Sequence, residues 1–340
     1  MKNLIFALIG TASLVLFGFT TRENVERVEP DLSVMELLIE LGQNPPEHYI
    51  ASPDSSKVRM GYELVHEGRT TGPDGKKSTY ISKFYVCTDC HNQVREDFDL
   101  VNPTPEGRLK YAMTNDLKFL QATTFWGMIN RETFYNDDYE KKYGDLVKAA
   151  RYSLAESTQL CAKECSSGRY LEAWEVDALL HYYNTLGVKM SDLDLTEKEI
   201  GIMASANGLK EKQQIKDKLK VSYMTRSRAH FGDLPEDSSQ GYSKVRPGDV
   251  AKGEEIYKRS CMTCHHEYGP SQLVLEAERL TFARFMRNID KNTKFNLYEI
   301  TRKGTYAEPG HRQYMPMYPL ERMSNQQVED LRAYIEEGCS

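Results

Sequence analysis

The chain has 340 residues, more than one hydrophobic core usually organises, so two or three domains are expected. Its 50 acidic against 44 basic residues leave a net charge of -6, which gives no basis for nucleic-acid binding and only hints at a basic partner.

Met1-Lys2-Asn3 followed by the apolar stretch Leu4 to Phe19 reads as an export signal within residues 1–21, cleaved near Gly18 to Thr21. A retained N-terminal membrane anchor is the alternative, because no clear A-x-A site follows. After a polar lead-in containing Pro45-Pro46, a first domain is expected over residues 58–187. Its opening helix carries Gly61-Tyr62-Glu63-Leu64-Val65, and its closing helix carries Leu171, Trp174, Ala178, Leu179 and Tyr182. Between them, Thr71 to Lys76 and the β-prone run Tyr80 to Val86 predict a turn or hairpin.

Cys87-Thr88-Asp89-Cys90-His91 follows, and Cys261-Met262-Thr263-Cys264-His265 repeats the pattern far downstream. C-x-x-C-H is the attachment signature of c-type haem. Two cysteines three positions apart share one side of a helical turn, where their sulfurs can form thioethers with the two vinyl groups, and the following histidine projects toward the iron. A lone C-x-x-C would also suit a zinc site or a redox dithiol. Two copies with histidine directly after predict two covalently bound haem c groups, with His91 and His265 as iron ligands. Attachment of this kind takes place outside the cytoplasm, in agreement with the signal, so the expected location is the periplasm, free or anchored to the outer side of the cytoplasmic membrane.

Residues 188–249 read as a charged linker containing one helix from Glu197 to Lys220 and a loop rich in Pro, Asp, Ser and Gly near Leu234 to Val245. Ile200, Ile202, Met203 and Leu209 would be exposed unless this linker packs on a domain. The second domain, 250–340, opens with Gly253 to Tyr257 and closes with a helix capped by Ser324, with Val328, Leu331, Tyr334 and Ile335 on one face.

This second segment resembles the class I cytochrome c domain, whose first and last helices cross through a glycine and an aromatic contact, places that Gly253, Tyr257 and Tyr334 fit. Tyr314-Met315-Pro316-Met317-Tyr318-Pro319 resembles the loop that supplies the methionine sulfur to the iron, which implies Met315 as sixth ligand, Met317 as runner-up, and His311 and His266 as outside candidates. In the first segment Cys161-Ala162-Lys163-Glu164-Cys165-Ser166-Ser167-Gly168-Arg169 is similar to part of the thiosulfate dehydrogenase family. There a ligating cysteine is followed by a glycine seven positions later, which implies Cys161 and Gly168. Cys165 stands where that family has serine, and Asn130-Arg131 only partly matches its arginine-rich substrate segment. A local Cys161–Cys165 disulfide is the competing expectation. Met113 and Met128 are the other sixth-ligand candidates, Met113 being preferred because Met128 lies among aromatics. Asn130 to Leu146 is expected to line the first haem edge, with Arg131 toward its propionates, and Cys339 is an odd thiol.

The expected fold is therefore mainly α: two cytochrome c-like haem domains joined by a charged, partly helical linker. The expected role is electron transfer between redox protein partners in a respiratory chain, without nucleic acid. The alternative is a haem enzyme oxidising a small sulfur compound such as thiosulfate, with Cys161 catalytic.

Overall fold

The computed structural model describes residues 31–339 apart from 206–207, 227, 272, 277–278, 290, 292–295 and 306–314. The expected signal or anchor and His311 lie outside the described residues. Thirteen helices are described: α1 (Val34–Glu40), α2 (Ser55–Glu67), α3 (Pro105–Thr114), α4 (Asp137–Tyr143), α5 (Leu146–Ala150), α6 (Leu154–Leu160), α7 (Ala173–Asn184), α8 (Glu197–Ser205), α9 (Leu209–Lys220), α10 (Val250–Arg259), α11 (Arg279–Met286), α12 (Leu297–Lys303) and α13 (Asn325–Glu337). Among the described residues there is no strand, only isolated bridges between Ser33 and Lys189 and between Thr71 and Lys77. None of these helices is long and apolar enough to cross a membrane.

Two helix crossings organise the chain, and each needs a glycine. α2 begins where Asp54 accepts hydrogen bonds from the Ser56 and Lys57 amides. It then crosses α7 at Gly61, where a Cβ would lie 2.3 Å from the Ala178 carbonyl oxygen and 2.6 Å from the Tyr182 Cβ. α10 crosses α13 in the same way, a Cβ on Gly253 falling 2.0 Å from the Asp330 oxygen and 2.8 Å from the Tyr334 Cβ. Aromatic rings close both crossings: Tyr62 and Tyr182 at 5.8 Å, Tyr257 and Tyr334 at 5.6 Å. Each C-x-x-C-H motif then forms a single 3₁₀ turn, Cys87–Asp89 and Cys261–Thr263.

The segment before the first motif departs from regular structure. Thr71 to Lys77 makes a tight turn, closed by the Gly72 amide on the Lys76 oxygen at 2.7 Å, with Gly75 at φ +78°. The β-prone run 80–86 is not a strand; Ile81 instead bonds the Gly68 oxygen through its amide and the Arg169 amide through its oxygen.

The single linker helix expected from Glu197 to Lys220 is two helices, α8 and α9, the second starting after Gly208, a poor helix former. Neither swings free. Met203, Ile215, Leu219 and Tyr223 bury against Val34, Leu37, Leu38 and Leu41 of the N-terminal lead-in, with Val188, Met190 and Leu193 completing the cluster. Ile202 and Leu209 remain exposed.

The second core also takes in residues from the first segment. Leu109 and Phe119 pack with Ile256, Tyr298 and Leu331. The Phe119 amide donates to the Arg259 oxygen at 2.9 Å, and the Ser260 hydroxyl donates to the Phe119 oxygen at 2.7 Å. Glu96, Arg108, Leu109, Phe119 and Leu120 thus form a buried seam that presses the two halves together.

Candidate functional site: two cavities with a common wall

Each C-x-x-C-H motif opens on its own apolar cavity. The first, about 1460 Å³ including its mouth, is lined by Cys87, Cys90, His91, Leu64, Phe125, Met128, Leu171 and Leu179 among others. The second, about 1670 Å³, is lined by Cys261, Cys264, His265, Tyr257, Leu275, Leu297, Leu331 and Ile335. These linings suit a large flat hydrophobic group covalently held at one edge.

The histidines are aimed by their other nitrogen. His91 Nδ1 pairs with the Thr123 carbonyl oxygen at 2.6 Å and His265 Nδ1 with the Leu273 oxygen at 2.8 Å, which leaves Nε2 of each as the free ligand atom. Phe125 stacks on the His91 ring at 4.4 Å and fixes its plane. Burial pushes the His91 pKa down to about 4, so it is neutral and able to bind a metal.

In the first cavity the atom facing His91 is sulfur. Cys161 Sγ stands 4.0 Å from His91 Nε2. These two atoms would hold a metal, since imidazole nitrogen and thiolate sulfur are both ligands of first-row ions. Cys161 to Cys165 forms one π-helical turn continuing α6, and both thiols are free; the disulfide expected as the alternative is not formed. Cys165 instead lies near two phenol groups, Tyr143 at 3.9 Å and Tyr135 at 4.0 Å. A hydrogen bond from Cys161, helped by those phenols and opposed by burial, brings the Cys165 thiol down to about 7, while Cys161 is held protonated. Metal binding would reverse this at Cys161, because a coordinating thiol is deprotonated outright.

Other ligand candidates are placed elsewhere. Met113 is 45% exposed on α3 and lines neither cavity, a correction that follows from its position on the outer face of that helix. Met128 is buried in the first core and touches the first cavity. His266 is exposed and lines neither cavity. Met315 lines the second cavity with His265, whereas Met317, the runner-up for that place, faces the first. Cys339 is a free thiol packed at the edge of the second core.

Residues 248–335 match the family described as cytochrome c oxidase, cbb3-type, subunit III. The C-terminal unit is a cytochrome c domain. It accounts for the glycine-aromatic crossing, the C-x-x-C-H turn and the cavity between them, and carries with it covalently bound haem c and a role in electron transfer. No curated protein and no solved structure matches the chain.

The cytochrome c domain and the first cavity meet directly. Tyr85, Gln121 and Pro316 line both cavities. Cys90 lies close enough to Cys264 for their charges to interact. This shared wall could not be read from sequence, since its residues come from three distant segments.

The first cavity is also ringed by cations. Arg131, Lys142, Arg228 and Arg322 line it, and among the described residues no Asp or Glu does. Arg131 comes from the segment expected to face the first haem, as do Phe134, Tyr135, Tyr139, Lys142 and Tyr143. Burial lowers the Arg131 pKa to about 10, still cationic at neutral pH, and its Nη2 donates to the Thr124 oxygen at 3.3 Å. Such a ring suits carboxylates of a bound group or an anionic ligand at the mouth.

Proposed function

We propose that the chain is an exported dihaem c-type cytochrome that transfers electrons in the periplasm between a respiratory donor and an acceptor. The observation that carries this reading is the pair of attachment motifs, each opening on an apolar cavity with an oriented histidine, the cavities divided only by shared residues. Haem c, when bound, supplies a one-electron iron couple whose potential methionine ligation raises.

Cys87, Cys90, Cys261 and Cys264 would hold the groups covalently, and His91 and His265 would ligate them. Met315 would complete the second site and Cys161 the first. Arg131 and Arg228, which line the first cavity, would face carboxylates of the bound group, while Arg322 is occupied by Glu96. Export is supported by the apolar stretch after Met1-Lys2-Asn3. Redox proteins are the expected partners; a retained N-terminal segment would keep the chain at the membrane.

The test is haem stoichiometry in protein matured in an export-competent host, by pyridine haemochrome absorbance and intact mass. Two haems per chain are expected; one haem, lost on Cys261→Ala with Cys264→Ala, overturns the dihaem reading.

A second reading is favoured by one distance, the 4.0 Å between Cys161 Sγ and His91 Nε2. With a thiolate at the first site and a cationic, carboxylate-free mouth, the chain would oxidise a small anionic sulfur compound such as thiosulfate. Thiosulfate-dependent reduction of ferricyanide by the loaded protein, abolished in Cys161→Ala, supports this; no turnover in the unmodified protein removes it.

A further inference from the structure

The segment Met315-Pro316-Met317 belongs to both sites at once. Met315 lines the second cavity, Pro316 lines both, and Met317, 8% exposed, lines the first. Lys142, from the aromatic and charged segment of the first domain, approaches the Met317 sulfur with its Nζ at 3.5 Å. The loop that presents one iron's ligand is therefore a wall of the other iron's pocket.

Three anchors hold this loop, one of them the Tyr318 amide, which donates to the Thr301 oxygen at 2.8 Å. On one side Thr305 clamps the Met315 backbone: the Met315 amide donates to the Thr305 hydroxyl at 2.7 Å, and the Thr305 amide donates to the Met315 oxygen at 3.0 Å. Gly304, at φ +67°, makes the clamp possible, because a Cβ there would lie 2.2 Å from the Met315 oxygen. On the other side the anchor is the Met317 side chain in the first cavity. Pro316 between them has no amide hydrogen to bond elsewhere and a fixed φ near -65°, so it gives the loop little freedom to absorb a shift at Met317.

We propose that Met317 is a positioning residue coupling the two sites. Its seat in the first cavity fixes Met315 in the second, so a change at the Lys142 corner of the first site alters the sixth position of the second iron. This rests on the reading of two haems with Met315 as a ligand. An event at one site thereby sets the electron affinity of the other through a protein contact, in addition to the direct influence of one charge on its neighbour.

The experiment compares the loaded wild-type protein with Met317→Ala and Met317→Leu. Haem content is counted first, then the methionine-to-iron charge-transfer absorption and the midpoint potential of the second haem are measured. Met317→Ala is expected to keep both haems, weaken that absorption, and lower the second potential by at least a tenfold change in its redox equilibrium, 59 mV for one electron. Met317→Leu, which refills the seat without sulfur, is expected to restore both. A Met317→Ala protein with two haems and both readouts unchanged overturns the coupling, as does Met317→Leu failing to restore them. If Met317→Ala does not mature, Met317→Val carries the same comparison. Absence of the charge-transfer absorption in wild type would remove Met315 as the ligand, a failure distinct from that of the coupling.

Discussion

Glu96 and Arg322, from opposite halves of the chain, meet as a buried two-pronged ion pair, Nη1 to Oε2 at 2.8 Å and Nη2 to Oε1 at 2.9 Å. Arg108 adds a third charge at 3.5 Å and hands its Nη1 to the Arg322 carbonyl oxygen at 2.9 Å. Arg322 also donates to the Leu120 oxygen, so the pair fastens the seam beside both cavities.

Removing one member of such a buried group strands the others. Glu96→Gln leaves two buried guanidinium ions without a carboxylate, and a loss of about 3–5 kcal/mol is expected, read by denaturant unfolding of the loaded protein. The pH dependence has a definite sign. Burial opposes ionisation of Glu96, but Arg322 and Arg108 outweigh it and hold the carboxyl at about 2. A folded pKa below the unfolded value of about 4.3 stabilises the fold above that value and loses the effect as pH falls toward 2. Wild type should therefore lose stability over this window, and Glu96→Gln should lose less of it. Equal acid limbs in the two proteins would show that Glu96 does not fasten the seam.

The helix crossings give a paired stability test. Gly253→Ala places a methyl 2.0 Å from the Asp330 oxygen, a backbone atom that cannot yield without parting α10 from α13. A cost of about 1–3 kcal/mol is expected from the forced shift. Gly201→Ala, on α8 with nothing within 4 Å, should instead gain about 0.5–1 kcal/mol from helix propensity. Thermal unfolding of both variants checks the contrast; similar shifts of one sign would contradict it.

The parts legible in the sequence are those whose signal is local. Gly253, Tyr257 and Tyr334 announced a crossing through their resemblance to the class I cytochrome c domain, and the cytochrome c match over 248–335 falls on the same residues. The motif histidines were legible for the same reason. What escaped was long-range. Leu109 and Phe119 carry no mark that they fill the core of the other half, and the linker's Met203 and Ile215 could not disclose that their partners are Leu37 and Leu38. Met317 illustrates the limit well: two positions from Met315 in sequence, it lines the opposite cavity, with Pro316 between them lining both.

Met113 supplies a negative control. Its exposure on α3 removes it from either cavity, so Met113→Leu should leave absorption spectra and potentials of the loaded protein unchanged. A changed low-spin spectrum would mean that α3 moves to bring this sulfur inward.

The sharpest prediction concerns Cys161. Its sulfur stands 4.0 Å from the free nitrogen of His91, and the π-helical turn sets it there while leaving Cys165 to the phenols of Tyr135 and Tyr143. Low-temperature electron paramagnetic resonance of the oxidised protein should show a low-spin signal typical of thiolate ligation. Cys161→Ala should abolish it, and Cys165→Ala should preserve it, because only the first thiol faces the histidine. Loss of the signal in both variants would mean that the two sulfurs act as one unit. An unchanged signal in Cys161→Ala would make Cys161 a packing residue of α6 and move the search for the sixth ligand to Met128, the buried sulfur of the same cavity.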